Sequence, residues 1–174
     1  MPHIIVMGVS GSGKSSVGAA LAEKLSLPFL EGDSLHPESN VKKMSAGIPL
    51  DDTDRWPWLE RIGERLAQAN GGIVISCSAL KRVYRDRLRK AAGTPLLFIF
   101  LDGSLEILRQ HMAHRTGHFM PLSMLESQLS TLESPVGEPL VLTLDVTEPV
   151  EAIVRESFEW IGTTVGEKGD HGKC

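Results

Sequence analysis

Cysteine is scarce in this sequence, and the two that occur, Cys77 and Cys174, are too few for a disulfide framework. Aromatic residues make up only 5% of the chain, which weakens any case for a surface that stacks on bases. Basic residues are not in excess: 18 Lys and Arg against 22 Asp and Glu give a formal net charge of −4. That balance argues against a DNA-binding module and against electrostatic binding to an anionic membrane.

No apolar run approaches the roughly 20 residues of a membrane-spanning helix, and no basic leader precedes the first apolar segment. We therefore expect a cytoplasmic protein that binds neither nucleic acid nor membrane.

The length of 174 residues, at 19.0 kDa, is that of one domain and is enough to bury a sizeable core. Hydrophobic residues make up 41% of the chain and charged residues 23%, as in ordinary globular proteins. We expect a single domain over residues 1–162. Residues 163–174 are polar and contain Gly and Lys, so we expect a flexible C-terminal tail there.

Short apolar runs alternate with longer amphipathic stretches, a pattern typical of a parallel sheet covered by helices. The predicted strands are 4–7, 28–30, 73–77, 96–101 and 140–144. The predicted helices are 15–25, 40–45, about 52–70 with N-cap candidates at 52–54, 82–92, 105–114, one from after 121 through 132, and about 150–161. The pattern predicts an α/β fold with three layers, α/β/α, around a five-stranded parallel sheet.

The residues directly after the first predicted strand fit the pattern G-x-x-x-x-G-K-[ST] and lead directly into a helix. Glycines let successive backbone N–H groups converge on phosphate oxygens, and the helix N-terminus adds its dipole. We expect Lys14 to neutralise charge on the β- and γ-phosphates and Ser15 to offer Mg²⁺ a hydroxyl. This segment is interpreted as a P-loop for a nucleoside triphosphate, ATP by default, rather than as a Gly-rich turn. The residues expected to bind ATP here are Gly8, Val9, Ser10, Gly11, Ser12, Gly13, Lys14, Ser15 and Ser16.

Two polar excursions indicate which class of P-loop protein this is. Residues 34–54 form an insertion after the second strand, and residues 115–122 form an Arg- and Gly-containing excursion late in the chain. An acceptor-binding region and a closing lid are what a kinase needs to exclude water. No guanine-specifying Asn-Lys-x-Asp segment occurs, and motor and helicase ATPases are usually larger. Phosphoryl transfer to a small molecule is therefore favoured.

Several uncommon segments follow one another in a recognisable order. They are residues 8–15, 31–37 (EGDSLHP), 43–44 (KM) with 47–50 (GIPL), 52–59 (DTDRWPWL), 77–81 (CSALK) with 84–86 (YRD), 117–120 (GHFM), and 127–129 (SQL) with 131–133 (TLE). With these segments the chain resembles the gluconokinase family, which is related to shikimate kinases and nucleoside monophosphate kinases. The resemblance extends from Ile4 to about Ile161.

The resemblance implies transfer of the ATP γ-phosphoryl group to the 6-hydroxyl of D-gluconate, with ATP and Mg²⁺ as cofactors and a homodimer as the assembly. Two alternatives stay open. A kinase of another small acid or sugar acid would keep the P-loop and change only the pocket. A non-catalytic ATP-binding regulatory protein would bind the nucleotide without turnover.

Two carboxylates follow the second predicted strand, at the sheet edge where open α/β proteins bind ligands. Asp33 is the candidate general base, since in similar kinases an aspartate here meets the acceptor hydroxyl. The alternative for Asp33 is a helix cap before Pro37. Glu31 is expected near Mg²⁺ through water, against the alternative of a buried structural carboxylate.

The acceptor carries a carboxylate and hydroxyls on this interpretation, so it needs a cation and polar side chains. Arg55 is the candidate for the carboxylate because its position resembles the substrate arginine of shikimate kinases; the alternative is a salt bridge on a helix. His36, Lys81 and Gln128 are further candidates for substrate contact, and for His36 a loop hydrogen bond is an equal alternative.

The lid and the adenine site follow from the same resemblance. Arg115 is expected to stabilise charge on the γ-phosphoryl group, against the alternative of a solvated loop arginine, and His118 to assist substrate binding. Arg109 and residues 147–149 are expected to lie against adenine. Asp102 resembles a Walker-B carboxylate by pattern, but an N-cap region is favoured there.

Overall fold

A computed structural model describes residues 2–113 and 121–169 of the chain. In chain order the elements are β1 (His3–Met7), α1 (Lys14–Leu25), β2 (Phe29–Glu31), a short 3-10 helix (Gly32–Leu35), α2 (Glu38–Ser45), α3 (Asp52–Gln68), β3 (Ile73–Ser76), α4 (Arg82–Ala92), β4 (Leu96–Asp102), α5 (Leu105–Ala113), α6 (Leu122–Thr131), β5 (Val141–Asp145) and α7 (Val150–Gly169).

Strand β1 lies at the centre of a five-stranded sheet with the order β2-β3-β1-β4-β5, and every adjacent pair is parallel. His3 aligns with Ile73 on one side and with Leu96 on the other. Because all strands run the same way, the segments that follow β1, β2 and β3 meet at one edge of the sheet. The predicted five-stranded parallel sheet is confirmed.

Helices cover both faces of this sheet. Ile5 and Met7 pack in a cluster with apolar residues of α3, α4, α5 and α6. Ile4 and Val6 point the other way and pack with residues of α1 and α7. Alternate residues of β1 thus enter two separate apolar layers, which confirms the predicted three-layer architecture. No helix within the described ranges is long and apolar enough to cross a lipid bilayer.

Several predicted helix boundaries differ from the structure, and α2 begins at Glu38 rather than at Asn40. The N-cap of α3 is Asp51, one residue before the predicted range, and its carboxylate accepts the Asp54 N–H at 2.8 Å while the Asp54 carboxylate accepts the Asp51 N–H at 3.0 Å. Helix α7 continues through Gly169 rather than ending near Ile161, so residues 163–169 of the predicted flexible tail are helical. Glycine within a helix costs only about 1 kcal/mol, so Gly162 did not end this one.

Candidate active site

The P-loop joins the end of β1 to the start of α1 and is fixed from two sides. The His111 ring of α5 lies 3.3 Å from the Gly11 carbonyl oxygen, and the Gln128 amide oxygen of α6 accepts the Ser10 N–H at 2.9 Å. Gly11 has φ 83°, and a Cβ there would lie 2.7 Å from Met112 and 3.0 Å from the Leu108 carbonyl oxygen. Only glycine fits this close approach of loop and helix.

Lys14 is the first residue of α1 and is 9% exposed. Within the described part of the chain its ammonium forms no ion pair. A buried, unpaired cation at a helix N-terminus is a strong site for a phosphate group. Lys14 thus lies where the P-loop pattern predicts the phosphate-binding lysine, at the start of the helix after the loop.

One cavity beside the P-loop brings together side chains from four parts of the chain. It is lined by six of the residues assigned to the site from the sequence: Ser10, Lys14, Asp33, His36, Arg55 and Gln128. The rest of its lining is Met44, Pro49, Leu50, Trp58, Ser78, Met124 and Ser127. The predicted insertion therefore forms one wall of the cavity, and α6 forms another.

The 3-10 helix that carries Asp33 is seated against β3. Gly32 packs so closely that a Cβ there would lie 2.1 Å from the Ser76 carbonyl oxygen. The Trp58 indole N–H donates to the Gly32 carbonyl oxygen at 2.8 Å, and the Ser76 hydroxyl donates to the Glu31 carboxylate at 2.8 Å. These contacts hold Asp33, which is 60% exposed at its side chain, at the open edge of the cavity.

His36 lies beside Asp33 in a defined orientation. Its ring stacks on Trp58 with centroids 4.2 Å apart, and its Nδ1 lies 3.1 Å from the Asn40 amide nitrogen. An amide N–H₂ only donates, so Nδ1 accepts and the proton resides on Nε2, which is 3.8 Å from the Asp33 carboxylate. Burial lowers the pKa of His36, and Arg55 lowers it further, against the opposing effect of Asp33. His36 is therefore a neutral N–H donor beside the candidate base.

Arg55 lies in the first turns of α3, is 8% exposed and lines the cavity. Its Nη1 donates to the Tyr84 hydroxyl at 3.3 Å. It makes no ion pair with any carboxylate of residues 2–113 or 121–169, which differs from the helix salt bridge weighed as an alternative. A buried guanidinium with a neutral partner suits an anionic ligand.

Lys81 and Arg109, two other predicted site residues, do not line this cavity. The Lys81 ammonium pairs with Asp52 at 2.9 Å. Arg109 is exposed on α5, and Arg115 and His118 lie outside the described residues. Asp102 is exposed, and the cap of α5 is the Ser104 hydroxyl, which accepts the Ile107 N–H at 3.3 Å.

Sequence reasoning gave no role in the site to three residues that organise the cavity: Asn40, Asp52, which was predicted only as an N-cap candidate, and Tyr84. Asn40 is 1% exposed and binds both His36 and the Asp54 carbonyl oxygen. A polar residue that is buried this fully implies a structural partner, but its sequence position names none. For the Asp52–Tyr84 contact, the signal available in the sequence was that Tyr84 is the only tyrosine of the chain.

The donors available for a metal ion are oxygens. The Ser15 hydroxyl lies in the first turn of α1, and the Glu31 carboxylate lies at the end of β2. In the part of the chain that the structure describes, no group of three or more His, Cys, Asp or Glu side chains could hold a metal ion by itself. Hard oxygen donors next to a phosphate site fit Mg²⁺, which keeps several waters and binds through substrate phosphates.

Comparison with known proteins adds relatives of this chain. A family model described as an AAA domain matches residues 4–135. Thermosensitive gluconokinase of Escherichia coli strain K12 is 45% identical over 87% of this chain and 83% of the relative. Gluconokinase of Gluconobacter oxydans strain 621H is 44% identical over 88% of this chain and 87% of the relative. The crystal structure of a gluconokinase from Sinorhizobium meliloti 1021 superposes with a TM-score of 0.93 at 54% identity, covering 99% of this chain and 98% of that one.

Proposed function

This chain belongs to the gluconokinase family and is an ATP-dependent kinase of D-gluconate, and from that premise we propose which of its residues bind the acceptor and catalyse the transfer. The observation that carries the proposal is the meeting of Lys14, Asp33 and Arg55 around one cavity. Phosphorylation of a polyol acid requires a cation that binds the phosphates, a carboxylate beside the reacting hydroxyl and an arginine that binds the acid group of the acceptor.

Gluconate lies in the cavity with its carboxylate on Arg55 and its 6-hydroxyl toward Asp33 and the P-loop. The burial of Arg55 supports this orientation, because a desolvated guanidinium binds a carboxylate more strongly than an exposed one does. His36 donates its Nε2–H to a substrate hydroxyl, and Gln128 contributes a further polar contact from α6. Lys81, which pairs with Asp52, is proposed as a more distant contact.

Asp33 is the general base. As the 6-oxygen of gluconate attacks the γ-phosphorus, its proton passes to the Asp33 carboxylate, the bond from γ-phosphorus to the bridging oxygen breaks, and ADP leaves. Little covalent chemistry remains for the protein, so positioning and charge neutralisation supply most of the rate. Lys14 neutralises charge on the transferred group, and Arg115 does so from the lid.

ATP binds with its phosphates on residues 8–16 and its adenine near Arg109. Ser15 would hold Mg²⁺ directly, and Glu31 would do so through water, with one carboxylate oxygen already accepting the Ser76 hydroxyl. When bound, the metal neutralises phosphate charge and orients the β- and γ-phosphates. His118, with Arg115, belongs to the proposed lid over residues 115–122. The proposed assembly is a homodimer, and the proposed location is the cytoplasm.

The test is a coupled ADP-release assay with Mg-ATP against gluconate, idonate, shikimate, glycerate and glucose, comparing the wild type with Asp33→Asn. We expect turnover with gluconate, and a loss of kcat of about 100-fold or more in Asp33→Asn, since general base catalysis contributes at least this much. Nucleotide affinity should stay within about twofold of wild type.

The matched control is Asp86→Asn, which makes the same change at an exposed carboxylate on α4. It should keep wild-type kinetics. Unchanged kcat in Asp33→Asn would refute the base assignment, and preferred turnover of another acceptor would refute the proposed pocket contacts.

A further inference from the structure

Arg55 and Asp52 stand three residues apart on α3, a spacing at which opposite charges on a helix normally pair. They do not pair here. Among residues 2–113 and 121–169, the ion pair of Asp52 is with Lys81, and Arg55 has none. Something therefore separates the guanidinium from the carboxylate that lies next to it.

Tyr84 of α4 stands between them. Its hydroxyl donates to Oδ1 of Asp52 and accepts from Nη1 of Arg55 at 3.3 Å. The phenol ring is fully buried, and the Arg55 guanidinium carbon lies 5.8 Å from the ring centroid. Trp56 packs against the same ring edge-on, with centroids 5.4 Å apart. The hydroxyl is consequently fixed in position and has both of its partners in place.

The charges around Tyr84 agree with this arrangement. The Asp52 oxygen that accepts from Tyr84 also accepts from the Lys81 ammonium at 2.9 Å, so the direct partners of Asp52 are Tyr84 and Lys81 and not Arg55. The hydrogen bonds from Tyr84 and Lys81 lower the pKa of Asp52, with smaller contributions from the charges of Lys81 and Arg55, and this keeps it an anion. Burial and the bond to Asp52 raise the pKa of Tyr84, which keeps the phenol neutral and able to donate. Arg55 is left with a neutral hydrogen-bond partner, and it lines the cavity without an ion pair to any carboxylate of residues 2–113 or 121–169.

We propose that Tyr84 is a positioning and specificity residue, whose hydroxyl stands between Arg55 and Asp52 and keeps the guanidinium from pairing directly with Asp52, so that it stays in place for the carboxylate of the acceptor. This inference rests on the proposed function of Arg55 as the gluconate carboxylate site. Without the hydroxyl, Arg55 is free to turn toward Asp52, and the cavity loses both the position and the charge that select an acid over a neutral polyol.

The test is Tyr84→Phe, which removes only the hydroxyl. We expect the KM for gluconate to rise about tenfold, the value of one lost hydrogen bond to a charged group, with kcat and the KM for ATP within about twofold. The diagnostic readout is the ratio of kcat/KM for gluconate to that for gluconamide, which has no charge. This ratio should fall about tenfold, because the neutral amide does not use the charge of Arg55. If Tyr84 had a purely structural role, kcat/KM would fall by the same factor for gluconate and for gluconamide, and their ratio would not change.

A second variant tests whether Asp52 competes for Arg55 once the hydroxyl is gone. In Tyr84→Phe/Asp52→Asn the competing carboxylate is gone, and we expect at least about threefold of the lost gluconate affinity to return. The matched control is Ser157→Ala, which also deletes a buried hydroxyl, one that donates to the Ile153 carbonyl oxygen at 2.7 Å on the other side of the sheet. This variant should leave the ratio of kcat/KM for the two substrates unchanged.

If Tyr84→Phe folds poorly, fluorotyrosine incorporation labels the native protein at this position alone, because the chain has one tyrosine. Its fluorine resonance should move on saturation with gluconate and not with gluconamide. An unchanged substrate ratio in Tyr84→Phe, no recovery in the double variant, or a resonance that ignores gluconate would each overturn the inference. Arg55→Met separates the two claims: a raised gluconate KM there, beside an unaffected Tyr84→Phe, refutes the role of Tyr84 and keeps the proposed function.

Discussion

The imidazole of His36 owes its protonation state to three neighbours rather than to its own chemistry. Asn40 fixes the proton on Nε2, Trp58 covers one face, and burial with the nearby Arg55 lowers the pKa. A neutral ring that donates toward the cavity suits a substrate hydroxyl better than an imidazolium, which would compete with the substrate for Asp33. The residue was found from the sequence, but its chemical form depends on contacts.

The pKa of His36 predicts how stability depends on pH. Unfolding returns the ring to an ordinary pKa of 6.5, so below that pH the unfolded chain takes up a proton that the folded chain does not. The stability contributed by neutral His36 is thus present above about pH 6.5 and lost as pH falls toward the lowered pKa. We expect the free energy of unfolding from urea titrations to fall between about pH 7 and 5.5, and less steeply in His36→Asn. Parallel curves for the two proteins across this range would contradict the assignment.

Helix α4 ties the loop after β3 to the chain that follows α6. Arg85 has no exposed surface; it donates to the Ala79 and Glu133 carbonyl oxygens at 2.8 and 2.9 Å and pairs with Glu138 at 2.7 Å. Arg89 reaches the same carboxylate at 2.9 Å. These bonds fix the position from which α6 presents Gln128 to the cavity, so the element that carries Tyr84 also anchors the opposite wall.

Removing the carboxylate from this cluster leaves a buried guanidinium without its partner. We expect Glu138→Ala to lower the free energy of unfolding by about 3 kcal/mol, in the range measured when one half of a buried pair is deleted. Asp86→Ala is the matched control because Asp86 pairs with the same Arg89 but is 54% exposed, and it should cost less than about 1 kcal/mol. Chemical denaturation of both variants checks this; equal losses would mean that burial of the pair does not matter.

At the scale of the whole molecule, a charged group that lowers the stability of the unliganded protein lies at one edge of a well-packed sheet. Two apolar layers bury β1 completely, and the chain that leaves β1 there turns into a loop with Lys14 buried and unpaired within the described residues. A cation without a carboxylate partner at a helix N-terminus, where the helix dipole is positive, destabilises the unliganded protein, and a bound phosphate removes that cost. Stability of the fold and readiness of the site are therefore opposed at this position.

The variant Lys14→Met should separate the stability of the fold from the ability of the site to bind nucleotide. We expect the variant without nucleotide to melt at a higher temperature than wild type, since the buried charge is gone. Mg-ADP at about 100 times its Kd stabilises the wild type by about 2.7 kcal/mol, and this gain should be absent in the variant. Lys90→Met, at an exposed lysine of α4, is the control and should keep the nucleotide response. A thermal shift assay gives both readings, and a destabilised variant without nucleotide would refute the cost assigned to Lys14.

The sequence by itself determined the strands, their parallel arrangement, the P-loop and the candidates Asp33, Arg55, His36 and Gln128. Apolar periodicity and a spaced motif are local properties, so they can be recognised without knowing which elements touch. It misjudged the end of α7, because the polar, Gly- and Lys-containing residues after Ile161 were interpreted as a tail. The Thr163 and Thr164 hydroxyls instead donate to the Glu159 and Trp160 carbonyl oxygens within the helix.

Only the tertiary structure decided how those candidates are held. Asp52 and Tyr84 are 32 residues apart, Trp58 and Gly32 are 26 apart, and Arg85 and Glu138 are 53 apart. None of these pairs has a spacing that a helix or hairpin would reveal. Asp52 and Tyr84 meet because α3 packs against α4, beside a sheet in which β3 lies between β2 and β1. The hydrogen-bond partner of Arg55, the tautomer of His36 and the partner of Lys81 follow from the tertiary structure.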